Sequence, residues 1–206
     1  MCIICVRYTQ NIHKTVQVIR KKEKSVKRIL FCNQKGGVGK TLLADSAASY
    51  FEKKTKVSFL DLDQQGGAIH ETKNEPGADI LVIDTPGALQ ENMREWIKEA
   101  DIVVIPTNCN RYDMVPLERM MEIASEFDQN KFIILFNRWN RCLGTAEFIN
   151  WFSVNYPGYK TFFMPNSVAL TDAAARSLYI GDYKPKHKAA QAMNDFMALL
   201  EKTIGE

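Results

Sequence analysis

The sequence predicts an α/β fold: a doubly wound, mostly parallel sheet with helices on both of its faces. Three observations lead there. Short runs rich in Val, Ile, Leu and Phe, each bounded by turn residues, recur along the 206-residue chain, and unbroken apolar runs suit strands buried on both sides. Amphipathic stretches of helical length separate them, which is the alternation of strand and crossover helix that a parallel sheet needs. The first of these runs opens into a glycine-rich turn that leads straight into a helix, FCNQKGGVGKTLLA (31–44).

Taken in order, RILFCN (28–33) reads as a buried strand and 41–54 as the helix after it. KVSFLDLD (56–63) and ADILVIDTPG (78–87) read as the next two strands. Only the stretch 64–78 joins them, which leaves room for about two helical turns at most. A helix over 89–99, the strand DIVVIPTN (101–108), a helix over 114–127 and the strand KFIILFN (131–137) follow. A helix near 145–155, the strand KTFFMP (160–165) and a last helix over 186–203 complete the pattern. No internal repeat or low-complexity segment divides it, so residues 27–206 read as one domain.

Composition narrows the function. With 46% apolar and 25% charged residues the chain resembles an ordinary soluble globular protein. It has no apolar run of about eighteen residues to span a membrane, and MCIICVRYTQ lacks the parts of a secretory signal. Five cysteines are scattered, and the Cys2–Cys5 pair has no second pair or histidine cluster beside it. Reduced thiols in a cytoplasm are therefore the better reading than zinc. The net charge of +3 is uneven: residues 1–28 carry eight Lys/Arg against the single acid Glu23, whereas the remainder carries 19 basic and 23 acidic residues. Basic arms of this kind often bind nucleic acid. The other reading of residues 1–26 is sequence upstream of a true start near Val26, where a first strand is about to begin.

A strand, a glycine-rich turn and a helix N-terminus together make an anion site, because backbone N–H groups point inward and the helix dipole favours negative charge. Gly36, Gly37 and Gly39 permit the close approach this requires. Lys40 is placed to reach outer phosphates, and the Thr41 hydroxyl to hold Mg²⁺. Asp61 and Asp63 end one strand run and Asp84 ends the next. In an open parallel sheet, ligands collect at the carboxyl ends of strands, so all three acids fall beside the loop. The usual phosphate-loop pattern G-x-x-x-x-G-K-[ST] is met except at its first glycine, where Gln34 stands, with Lys35 next to it.

KGGVGKT, LDLDQQG and ILVIDTPG, in that order, resemble the deviant Walker A, A′ and B motifs of the ParA/MinD ATPases, over about residues 27–206. The resemblance implies a P-loop NTPase fold that binds ATP with Mg²⁺. It places residues 35–42, including Val38 and Leu42, around the phosphates, with Lys40 as the phosphate lysine. Lys35 would be the extra lysine that reaches across a nucleotide-sandwich homodimer to the partner's ATP. Thr41 would ligate Mg²⁺, Asp84 would act on it through water, and Asp61 would support its shell. Asp63 would orient the attacking water. Phosphoryl transfer needs mainly such positioning and charge neutralisation. Asn137 resembles the family's adenine-reading asparagine, a plain turn residue being the other reading, and Pro165 would flank the base. Three positions depart from the family: Leu42 replaces a second hydroxyl residue, Gln64 a proline, and Asn166 an arginine.

The length and the ending TDAAARSLYIGDYKPKHKAAQAM look most like the small plasmid-type ParA proteins. That likeness implies a weak, partner-stimulated ATPase that coats DNA without sequence preference and segregates plasmid or mobile-element DNA. It would work with a ParB-like centromere-binding protein, in the cytoplasm, on the nucleoid in its ATP state. The alternative is a regulatory or positioning switch acting on a protein target. A metabolic P-loop enzyme is a third class, against which Lys35 speaks. The last helix, AAQAMNDFMALLEKTI, has one lysine and two acids. That is poor for an anionic membrane, so it is expected to pack on the sheet. Arg176, Lys184, Lys186 and Lys188 are the expected DNA-phosphate contacts, the three lysines alternating in YKPKHK with Pro185 keeping the stretch extended. A solvated charged loop is the competing reading.

Overall fold

The structure is a computed structural model and describes residues 26–63, 67–87 and 92–205. Its strands are β1 (Lys27–Phe31), β2 (Val57–Asp61), β3 (Ile80–Asp84), β4 (Ile102–Asn108), β5 (Phe132–Trp139) and β6 (Lys160–Pro165). They form one six-stranded sheet in the order β2-β3-β1-β4-β5-β6, parallel at every ladder. The helices are α1 (Lys40–Phe51), α2 (Met93–Glu99), α3 (Arg111–Ala124), α4 (Leu143–Asn155), α5 (Val168–Ala174), α6 (Ile180–Tyr183) and α7 (Lys188–Gly205). The strand order reverses at β1, so the fold is doubly wound, and its two-sided burial explains the unbroken apolar runs.

Alternation along each strand divides the core in two. Ile29, Phe31, Val82, Val104 and Leu135 face one layer, shared with Leu43 and Ala47 of α1 and with Met193 and Phe196 of α7. Their neighbours Leu30, Ile83, Val103, Ile134 and Phe136 face the other, with Trp96 of α2, Leu117 of α3 and Phe148 of α4. The last helix thus packs on the sheet through Ala189, Ala190, Met193, Phe196, Met197 and Leu200.

Two of the expected stretches differ from the sequence pattern. Helix α3 starts at Arg111 rather than 114, because the Asn110 side chain accepts the Tyr112 N–H at 2.9 Å and caps it. Pro116 then lies inside the helix instead of at its first turn. The YKPKHK stretch is not extended. His187 N–H donates to the Lys184 carbonyl at 2.9 Å and closes a turn, with Pro185 at the corner that its fixed φ favours. The His187 ring then accepts the Ala189 N–H at 3.1 Å, so the final helix begins at Lys188. The expected helix over 89–99 is seen as Met93–Glu99; residues 88–91, like Gln64 and the basic arm 1–25, lie outside the described residues.

The β2–β3 connection holds no helix over its described part, 67–79. It runs back along the outer edge of β2, where Phe59 and Lys73 exchange backbone hydrogen bonds at 3.0 and 2.8 Å. That pairing covers the edge strand. Asp45 of α1, a buried carboxylate, ties the connection down: it accepts the N–H groups of Ile69 (2.9 Å) and His70 (3.0 Å) and meets His70 Nδ1 at 2.8 Å. The Asp45 hydrogen bond raises the His70 pKa above its usual 6.5, against the opposing effect of burial. The folded state therefore holds the proton more tightly than the unfolded one. The stabilisation is complete below pH 6.5 and fades as pH rises through the raised value. An NMR titration of the imidazole should give a midpoint above 6.5. In Asp45→Asn the midpoint should drop, and the amides of residues 69 and 70 should exchange faster.

Candidate nucleotide-binding site

The site is built where β1 runs out. Asn33, buried just past the strand, donates through Nδ2 to the Pro106 carbonyl of β4 at 2.7 Å and accepts the Lys35 N–H through Oδ1 at 3.0 Å. This sets the direction of the loop 34–39 over the carboxyl edge of the sheet. Gly37 and Gly39 have φ of +73° and +96°, conformations open to glycine and costly for other residues. At Gly39 a Cβ would stand 2.4 Å from Asn137 Nδ2, and at Gly87 a Cβ would stand 2.8 Å from Gly36 Cα. The loop therefore packs closely on the end of β5 at Gly39 and on Gly87 beyond β3, while Gly36 and Gly37 have open space where a Cβ would stand. Helix α1 starts from Gly39 with no side-chain cap and no acid in its first turn, which leaves its free N–H groups and positive dipole end to an anion.

The acids meet this helix end from the adjacent strands. Asp61 and Asp84 are register partners on β2 and β3. The Thr41 hydroxyl donates to Asp84 Oδ2 at 2.6 Å, while Asp84 Oδ1, fully buried, has no hydrogen-bond partner among the described residues. Burial, only partly offset by the Thr41 bond, pushes the Asp84 pKa up to about 7. Burial also raises Asp61, whose Oδ1 accepts the Asp63 N–H at 2.8 Å. The Lys40 ammonium is buried and donates to the Lys35 carbonyl at 3.2 Å. Burial lowers its pKa, with Asp84 and Asp63 opposing.

Lys40, Thr41 and Asp63 border an open cleft of about 810 Å³, with Asp84 buried behind Thr41. An orphaned carboxylate oxygen beside a hydroxyl fits Mg²⁺, a cation that keeps several water ligands and takes others from phosphate. Among the described residues no three His, Cys, Asp or Glu side chains converge as a metal-holding group. A cation here would rest on Thr41 and Asp84 and be completed by water and phosphate oxygens.

Of the residues singled out in the sequence, Gly36, Gly37, Gly39, Lys40, Thr41, Leu42 and Asp63 line the cleft. Val38 is buried beneath it, and its carbonyl accepts Asn137 Nδ2 at 2.8 Å. Asn137 Oδ1 accepts the Arg138 N–H at 2.9 Å, so both ends of that amide already hold the loop and the strand end. Pro165 ends β6 opposite Trp139 and is not among the residues that line the cleft. The Lys35 ammonium lies 2.7 Å from Asp113 Oδ1. Arg176 and Lys184 both cover the Tyr183 ring, at 5.1 and 4.8 Å, and Lys184 is 3.6 Å from Asp172 Oδ2. Lys186 and Lys188 are exposed.

Sequence reasoning missed several lining residues. Asp45, Ile69, Gly87 and Arg138 border the cleft, and Thr171, Ala174 and Ala175 close its far side. Gly87 had a signal, since it ends the run ILVIDTPG. Arg138, at φ +53°, had none beyond following Asn137.

A glycine loop on an open helix end, with Thr41 on a buried Asp84, defines a nucleotide-binding P-loop domain. Residues 29–180 match the family described as CobQ/CobB/MinD/ParA nucleotide binding domain, and the chain belongs to that family. Among curated proteins it is 37% identical over 71 residues to Protein IncC of Escherichia coli, a match spanning 32% of this chain and only 20% of that protein. Among solved structures it is similar to a Cyanothece McdA variant in complex with ATP (TM-score 0.71, 15% identity, covering 88% of this chain and 97% of that one). It is also similar to the septum site-determining protein MinD with Mg-ADP from Pyrococcus horikoshii OT3 (TM-score 0.65, 15% identity, 87% and 98% covered). A plasmid partition protein from Borrelia burgdorferi follows (TM-score 0.59, 14% identity, 84% and 99% covered). At these identities the structural matches speak for the fold.

Gly39→Ala tests the loop packing. The left-handed backbone alone costs a side chain about 1–2 kcal/mol, and the added methyl must displace Asn137. The melting temperature should fall by roughly 2–8 °C and nucleotide affinity should drop with it. A variant that melts and binds like the unaltered protein would refute the close approach.

Proposed function

We propose that the protein is a Mg²⁺-dependent ATPase of the ParA partition type. In this reading ATP joins two chains face to face, the dimer binds DNA without sequence preference, and a ParB-like partner stimulates hydrolysis. The observation that carries the nucleotide assignment is the Thr41–Asp84 hydrogen bond beside an uncapped helix end under a glycine loop. Bound Mg²⁺ supplies charge neutralisation for the phosphates. Thr41 would ligate it, Asp84 would act on it through water and Asp61 would support its shell, while residues 36–42 cradle the phosphates through backbone N–H groups. Lys40 leaves the Lys35 carbonyl for the outer phosphates, Asp63 orients the attacking water, and Lys35 acts on the nucleotide of the second chain. In this reading Asn137 would read the adenine and Pro165 would flank it, with Arg138 on the lining of the cleft.

Arg176 and Lys184 share one face around Tyr183, with Lys186 and Lys188 exposed nearby, which supports a phosphate-binding surface lacking any base-reading element. A second reading, a positioning switch acting on a protein target, is favoured by the pairing of Lys184 with Asp172, which takes charge away from that face.

Sedimentation with ADP or ATP, with and without plasmid DNA, separates these readings. The partition reading expects ATP-dependent dimers that co-sediment with DNA, and Lys40→Ala should lower ATP affinity by about tenfold or more as a charged hydrogen bond disappears. With residues 1–25 removed, alanine at Lys184, Lys186 and Lys188 should weaken DNA binding alike on all sequences. It should also flatten the salt dependence by roughly one log-log unit for each phosphate no longer neutralised. ATP-state dimers that ignore DNA at low salt point to the protein-target switch. Undiminished ATP binding by Lys40→Ala would overturn the site itself.

A further inference from the structure

Lys35 begins the glycine loop, yet its ammonium turns away from the cleft and rests on the first turn of α3. It is 2.7 Å from Asp113 Oδ1 and 3.3 Å from the Tyr112 carbonyl oxygen. Both acceptors are unusual. The Asp113 side chain is 0% exposed, and apart from the Lys35 ammonium no described residue donates a hydrogen bond to either of its oxygens. A buried carboxylate without compensation is costly, and the Lys35 ammonium is the charge that offsets it. The Tyr112 carbonyl would ordinarily accept the N–H four residues on, but that residue is Pro116, inside the helix, which has none to give. A buried charge and a vacated helix carbonyl together make a two-point seat for a lysine.

The seat is built from several directions. The Asn110 cap fixes the first turn of α3 that presents both acceptors, and Asn33 holds the Lys35 backbone N–H at 3.0 Å. Lys35 is still 29% exposed and Tyr112 is 86% exposed, so the ammonium sits at the surface with a path outward.

We propose that Asp113, with the Tyr112 carbonyl freed by Pro116, is a positioning site that parks Lys35 on its own chain. Joining two chains through ATP then requires Lys35 to leave that seat. The proposal rests on the reading of Lys35 as the lysine that crosses to the second chain. Its consequence is a threshold: Asp113 retains Lys35 until a second chain's phosphates offer a stronger anion, so chains without ATP stay apart.

Sedimentation of the full chain over a protein concentration series, with Mg-ATP or Mg-ADP, tests this. Asp113→Asn keeps the shape and removes the charge, so with ATP it should be half dimeric at about tenfold lower concentration than the unaltered protein, the worth of one charged hydrogen bond. With ADP it should remain monomeric. Pro116→Ala, which returns a helix donor to the Tyr112 carbonyl, should shift the midpoint the same way by a smaller factor, and it carries the test if Asp113→Asn fails to fold. Lys35→Ala should melt lower without nucleotide, because Asp113 is left uncompensated, and adding Asp113→Asn should restore the melting point. If Lys35→Ala loses the dimer while Asp113→Asn and Pro116→Ala dimerise no more readily than the unaltered protein, the parking seat is overturned and the crossing lysine stands. If Lys35→Ala dimerises normally, the crossing lysine itself falls.

Discussion

A carboxylate with 0% of its surface exposed, at the end of a central strand, is the constraint around which the domain is organised. Asp84 has one oxygen on the Thr41 hydroxyl and another with no partner among the described residues. Burying it against solvation raises its pKa to about 7, an expense that stability alone does not explain. The surrounding structure holds it there. β3 lies between β2 and β1, so Asp84 has Asp61 on one flank and Phe31, the last residue of β1 before the glycine loop, on the other. Burial and like charge keep it ready for a cation, and Thr41 fixes its direction.

The loop answers the same demand from the opposite side. Its backbone conformations are left-handed at two glycines, and it is wedged between Gly87 and Asn137. Asn33 and Asn137 use their amides to bind loop to strand ends. Helix α1 begins uncapped, and an uncapped end is stable where an anion completes it. One turn further on, Asp45 bonds to the β2–β3 connection instead of the loop, so a single helix organises both walls of the cleft.

Much of this is legible in the sequence because it rests on local regularities. Strand runs bounded by turn residues locate all six strands, and the lysine–glycine pattern locates the loop. Asp61, Asp63 and Asp84 follow from the rule that parallel strands end at ligands. What escapes depends on partners far along the chain. Asp45 reads as a polar residue on a helix, and its work is done on residues 69 and 70. The Asp113 seat depends on where α3 starts, and the apolar pattern hides that start behind Pro116. The Lys184–His187 turn reads as extended because a proline suits both forms, and only the His187 N–H, bonded back across it, decides between them. The short α5 that lines the cleft lies outside the alternation of apolar runs and amphipathic stretches, so that pattern does not show it as a helix.

The central claim is that Asp84 and Thr41 form a cation site tied to nucleotide phosphates. Calorimetric titration of ATP, with Mg²⁺ or with a chelator, into the full chain and into Asp84→Asn tests it most directly. The account predicts that Mg²⁺ strengthens ATP binding to the unaltered protein. Asp84→Asn should lose that increment while keeping its metal-free affinity. An equal gain from Mg²⁺ in both proteins would contradict it.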